Sequence, residues 1–173
     1  DLNVAPYNVD AGWRPIGTST SDEFKGTFDG NGKTISNLTI KQSLGSYIGL
    51  FGYIGRTAEI KNVRLRNVDI TGNRYVGGLA GYAYLSMITN SYVTGAVTGR
   101  ESIGGLTGWN VVGTITNSYA TGEVTGTEDY IGGLVGRNSG GTIANSYATS
   151  AVKGRSHVGG LVGRLTKGDG MGA

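Results

Sequence analysis

The chain has no cysteine, two prolines and one histidine among 173 residues. Without cysteine there is no disulfide framework, no thiolate nucleophile and no Cys-based metal site. A lone histidine, His157, lacks the second imidazole that a transition-metal centre would need and reads as a surface residue. Two prolines against 33 glycines, with no Gly-X-Y period, exclude collagen. No apolar run approaches the roughly 20 residues of a membrane-spanning helix, so membrane insertion is not expected. Charge of one sign is also missing: 15 basic and 12 acidic residues are scattered along the chain, for a net charge of +3. That pattern describes a solvated surface, not a nucleic-acid footprint. An opening at Asp1, without Met or signal peptide, is expected of a processed form or an excised fragment.

What the sequence does contain is repetition. "YVGGLAGYAYLSMITNSYVTGAVTG", "SIGGLTGWNVVGTITNSYATGEVTG" and "YIGGLVGRNSGGTIANSYATSAVKG" follow one another with a variable clause in the middle. The first apolar residues of these windows and their degenerate neighbours, Ile48, Val76, Ile103, Ile131 and Val158, lie 28, 27, 28 and 27 residues apart. Such a period marks a repeat architecture. Frequent glycine and β-branched residues, with no 3.6-residue apolar stripe, make the repeat all-β.

A period of this length predicts a single-domain parallel β-helix (β-solenoid) of about 27–28 residues per coil and roughly six coils, stacked at the ordinary strand spacing of about 4.8 Å. Equivalent residues then stand over one another. Interior columns are expected at Ile88, Ile115 and Ile143; at Leu79, Leu106, Leu134 and Leu161; and at Val97, Val124 and Val152. Asn62, Asn90, Asn117 and Asn145, with Asn37 before them, are expected to form an asparagine ladder at a bend. Glycine pairs such as Gly77-Gly78 would permit a bend that no Cβ tolerates. Alternation leaves Tyr92, Tyr119 and Tyr147 open; if it restarts after the asparagine, Ser118, Ala120 and Val124 face in and the tyrosines stack outside.

The units "GGLVG" and "NSYATGEVTG", preceded by "WRPIG" and "FKGTFDGNGKTISNLTI", resemble the GLUG-motif repeats of bacterial surface and secreted proteins. The resemblance runs from Trp13 to about Arg164. It implies an adhesin-like extracellular or cell-surface setting, sometimes alongside immunoglobulin-A-cleaving peptidases. There the motif is a repeat module, and it supplies no catalytic residues.

Candidate chemistry is sparse. A β-helix glycosidase or lyase needs acids converging over adjacent coils. Glu101 and Glu128 or Asp129 occupy matching positions and are the best pair, more readily explained as solvated turn residues. Asp29 and Asn31 in "FDGNGKT" suggest calcium, but Lys33 and Thr34 break the EF-hand pattern, and a Gly/Asx turn is the better reading. The sequon at Asn37 carries little meaning in a bacterial protein. Glycine runs lack the context of a phosphate loop. The Thr98 and Thr125 column evokes ice-binding solenoids, but Lys153 and Asp69 or Ile70 interrupt it. No cofactor is implied.

The variable clause reads as a loop on one side of the solenoid, where repeat proteins often make contacts. It places Tyr82, Tyr84, Trp109, Asn110, Arg137 and Asn138 near one another on neighbouring coils, as a candidate face for a host glycan or protein. The plainer alternative is that Trp109 only shields the core. By composition the chain divides into a cap and degenerate first coil (1–47), repeats (48–164) and a glycine-rich tail (165–173). The tail is expected to be too short to shield an apolar coil, so end-to-end docking with neighbouring copies is an alternative partnership. The expected role is a non-enzymatic rigid stalk or adhesive module. A fibre-forming subunit and a carbohydrate-active enzyme are the alternatives.

Overall fold

The computed structural model describes residues 1–7 and 10–168. Apart from one 3₁₀ turn, Ala5–Tyr7, the described elements are β-strands, and every ladder between them is parallel. They form a β-solenoid of about five turns, with about 28 residues per turn, against the six or so expected. The difference lies at the N-terminal end. Asp1 to Gly45 contributes separate short strands and isolated bridges, such as Ile16 with Phe51 and Phe24 with Ile54, rather than a complete further winding. Residues 169–173, on which the expectation about the tail rested, lie outside the described residues.

Each winding visits four sheets in turn. The winding from Arg74–Gly77 continues through Ala80–Tyr84 and Met87–Thr89 to the long strand Tyr92–Gly99. The next begins at Glu101–Gly104, which pairs with Arg74–Gly77. Between the sheets the backbone turns at left-handed corners occupied by ordinary L-residues. One corner column is Tyr47, Tyr75, Ser102, Tyr130 and His157, with φ from 49° to 67°. A second is Thr57, Leu85 and Val112, continued by Gly140, and the third is Asn62, Asn90, Asn117 and Asn145. For a residue other than glycine or asparagine this conformation costs about 1–2 kcal/mol. The parallel ladders on both sides offset that cost by satisfying the backbone throughout each coil.

The asparagines are suited to their corner by torsion, because Asn tolerates the left-handed region. Their amides do not form a continuous ladder: among the described residues of this column, amide bonding runs only from Asn90 to Asn62, at 3.5 Å. The neighbouring serines link the coils instead. Ser91, Ser118 and Ser146 accept from the backbone N–H of Val63, Ser91 and Ser118, at 3.1, 3.2 and 3.1 Å. Asn37 does not belong to this column. It stands over Asn67, whose amide donates to Asn37 Oδ1 at 2.6 Å. In this first ladder equivalent residues lie 30 apart, as Thr34 with Arg64 and Thr39 with Asp69, so a period of 27 or 28 misaligned it.

The interior holds the apolar columns. Ile60, Ile88, Ile115 and Ile143 pair in register, and the first three are buried. Leu79, Leu106 and Leu134 are fully buried, whereas Leu161 is 39% exposed because no further coil of the described chain covers it. Each buried Ile or Leu stabilises the fold by about 1.5–3 kcal/mol relative to exposure. The glycine pairs serve close approach rather than unusual torsion, since none of them has positive φ. A Cβ on Gly78 would press on the carbonyl oxygen of Gly105 in the next coil, at 2.6 Å. At the long sheet, Ser118, Ala120 and Val124 are buried, and the tyrosines stack outside. Ring centroids are 4.8 Å apart for Tyr92 and Tyr119, and 5.0 Å for Tyr119 and Tyr147.

Candidate ligand-binding face

The variable clause is not a loop. It folds as the strands Ala80–Tyr84, Thr107–Val111 and Val135–Ser139, which pair in one sheet. Side chains therefore alternate between the two sides. Tyr82 and Tyr84, Trp109, and Arg137 face outward and are partly exposed. Asn110 and Asn138, expected on the same face, point inward and are 1% and 2% exposed. There Asn110 Nδ2 donates to Asn138 Oδ1 at 2.8 Å, and each amide also donates to a backbone carbonyl, of Gly113 and Gly141 respectively. These two asparagines are an interior ladder and leave the candidate face.

Register places Tyr53, Tyr82, Trp109, Arg137 and Arg164 in one outward column. Beside it runs the left-handed corner column that includes Tyr47, Tyr75 and Tyr130. The two columns interlock. Tyr53 stacks on Tyr82 with centroids 4.5 Å apart, and Tyr47 stacks on Tyr75 at 5.1 Å. Trp109 packs against both Tyr75, at 5.3 Å, and Tyr82, at 5.2 Å. In the coil that carries Trp109 the corner residue is Ser102, and the smaller side chain leaves room for the indole beside Tyr75. Burial pushes the phenols of Tyr53 and Tyr75 above their ordinary values, and that of Tyr82 furthest.

Two arginines complete the face. The Arg137 guanidinium carbon lies 4.3 Å from the Trp109 ring centroid and 5.7 Å from that of Tyr130. Arg164 lies 5.0 Å from the Tyr130 centroid and donates to its hydroxyl at 2.5 Å. Trp109 Nε1 donates to Ser139 Oγ at 3.0 Å, which fixes the indole plane. Next to the column opens a cleft of about 700 Å³, lined among others by Arg56, Tyr84, Leu85, Val112 and Ser139. Arg56 lies 5.8 Å from the Tyr84 centroid at its edge.

Most of the other candidates are engaged elsewhere. Glu101 pairs with Arg74 at 2.9 Å, and Glu128 with Arg100 at 2.8 Å, so neither acid stands free over a groove. Asp29 Oδ1 accepts from the backbone of Asn31 and from Asn62 Nδ2, an Asx turn tied to the next coil. These bonds, that of Asn62 foremost, hold its carboxyl below the ordinary value. His157 is exposed and shares a hydrogen bond with Ser156 at 2.9 Å. The Thr71, Thr98 and Thr125 column meets Lys153.

Sequence reasoning missed Tyr47, Tyr53, Tyr75, Tyr130, Arg56 and Arg164. A signal was available for Tyr53 and Arg164, which share a column with Trp109. The first window, however, has one glycine, Gly49, where later ones have two, and this moves Tyr53 out of the fixed period.

Residues 72–98, 99–125 and 128–153 match the GLUG motif, so three of the windings are GLUG repeats. Over 94 residues the chain is 37% identical to halomucin of Haloquadratum walsbyi, a match covering 54% of this chain and 1% of that protein. Over 76 residues it is 40% identical to a protein of Evansella cellulosilytica named as a Gly-rich membrane protein, covering 42% of this chain and 9% of the relative. The chain thus spans only a small part of these relatives' length. Among solved structures it is similar to a protein from Bacteroides ovatus named as an immunoglobulin A1 protease. The TM-score is 0.75 over 95% of this chain and 53% of the other, at 23% identity, a likeness of fold alone.

Proposed function

We propose, from the premise that this is a GLUG-motif repeat chain, that it is a non-enzymatic module of an extracellular or cell-surface protein. In this reading the stacked coils form a stiff support that presents an adhesive face to a glycan or protein partner. The observation that carries it is the outward column Tyr82, Trp109, Arg137 and Arg164, partly exposed and held in register on one side of the solenoid, with the covered Tyr53 at its end. Aromatic and Arg side chains dominate binding hot spots because they combine large contact area with directed hydrogen bonds. A parallel sheet fixes their spacing without a loop to order. Relatives named as halomucin and as a Gly-rich membrane protein suit a surface setting. No carboxylate lines the cleft, which favours binding over acid–base hydrolysis.

The test is a binding screen of the isolated chain against immobilised glycans and host extracellular proteins, repeated with the Trp109→Ala/Arg137→Ala double variant. Retention of at least one ligand by the parent chain, and its loss in the variant, is the expected result. Absence of any ligand, or equal binding by both chains, removes the adhesive reading.

A further inference from the structure

We infer that the cleft beside Trp109 takes an acidic saccharide, a chain of pyranose rings bearing carboxylates, with Arg137 as its principal anion contact. This rests on the adhesive reading above and names its ligand class. Its basis is an imbalance of charge and hydrogen bonding. The six ion pairs among the described residues involve neither Arg56, Arg137 nor Arg164. Arg56 and Arg137 both line the cleft, and no Asp or Glu does. Arg137 is partly exposed, packs its guanidinium on the Trp109 ring and makes no hydrogen bond or ion pair among the described residues; its Nε is buried, so the donors open to a ligand are the terminal N–H groups. A guanidinium carries five donors and no acceptor, so its unmet need is for oxygen, best supplied by an anion in the same plane.

The remaining lining narrows the class. Val112, Leu85 and Trp109 give an apolar wall suited to the C–H face of a sugar ring. A volume near 700 Å³ lies within the range of small-molecule sites. An extended peptide that binds by adding a strand needs a free sheet edge, whereas this wall is the face of a sheet paired from coil to coil. Single-stranded nucleic acid needs open ring faces and a basic track. Here the rings of Tyr53, Tyr82 and Trp109 already pack on one another, and the lining offers two cations only.

The experiment is calorimetric titration of the isolated chain with a uronate oligosaccharide, its carboxyl-reduced neutral counterpart and a single-stranded oligonucleotide. It is repeated for Arg137→Gln and for Arg56→Gln, whose side chain is exposed, with a melting curve for each. Expected are uronate binding at least tenfold tighter than neutral binding, a further loss of about tenfold in Arg137→Gln at unchanged melting, a smaller loss in Arg56→Gln, and weakening by salt. Equal affinity for the neutral sugar, or preference for the oligonucleotide, overturns the acidic-saccharide assignment while leaving the adhesive face standing. Binding of a protein ligand alone in the earlier screen overturns it too. Failure of every ligand in both experiments removes both readings.

Discussion

The side-chain amide of Asn110 donates to Oδ1 of Asn138 at 2.8 Å, across two coils and entirely inside the solenoid. Two residues expected on the candidate face are thus part of the interior beneath that sheet. The amide of Asn138 passes the same hydrogen bond on to the carbonyl of Gly141.

Asn138→Ala leaves the Gly141 carbonyl and Asn110 each short of one interior partner. The expected loss is about 1–3 kcal/mol, the scale of leaving buried polar groups unpaired. Chemical denaturation measures it. Ligand binding by the folded variant is unchanged, because this side chain does not reach the face; a binding loss without destabilisation would contradict the placement.

Ile115→Ala empties a fully buried position in the middle of the stack and is expected to cost about 2–5 kcal/mol. Leu161→Ala removes a similar volume from a side chain already 39% exposed and should cost well under half as much. Comparable losses at the two sites would mean that the last coil is covered in solution.

Gly105 and Gly160 occupy equivalent places one and three coils along from Gly78. A Cβ on Gly105 would overlap the carbonyl oxygen of Gly133 and the Cβ of Ala120, whereas one on Gly160 meets nothing within 4 Å. Gly105→Ala should therefore lower the melting temperature strongly or prevent folding, and Gly160→Ala should leave it within the small range of surface substitutions. Similar melting of the two variants would sink the close-approach explanation.

Asp29 has a native pKa below its ordinary value near 3.8 because Asn62 and the Asn31 backbone donate to the ionised form. A depressed carboxylate contributes stability that is present above the unfolded value and lost as pH falls through the native one. A carbon-detected NMR titration of its carboxyl is expected to show a midpoint below the ordinary value, moving upward in Asn62→Ala. An unmoved midpoint would show that Asn62 is not the main cause.

The fold was legible because the physics of a solenoid writes itself into the chain. Each coil offers its neighbour the same environment, so Ile88, Ile115 and Ile143 recur at the spacing that stacks them. The corner was partly legible. Asn90 and Asn117 marked it, yet the bonding between coils passes through Ser91 and Ser118, of which the sequence suggested only that Ser118 faces inward. Outward placement was legible for Tyr82, Tyr84, Trp109 and Arg137, and misread for Asn110 and Asn138. Taking the variable clause as a loop removed the alternation that separates Trp109 from Asn110.

By itself, the sequence determined the repeat, its all-β character, the parallel stack and most of the interior columns, because periodicity is a one-dimensional property. Only the tertiary structure decided which side each variable residue takes and which aromatic residues meet. The direction of a side chain depends on strand alternation, and contacts between columns depend on corners where Tyr75 or Ser102 adopts a left-handed backbone. Neither is set by a residue's own identity; both follow from the coils packed above and below it.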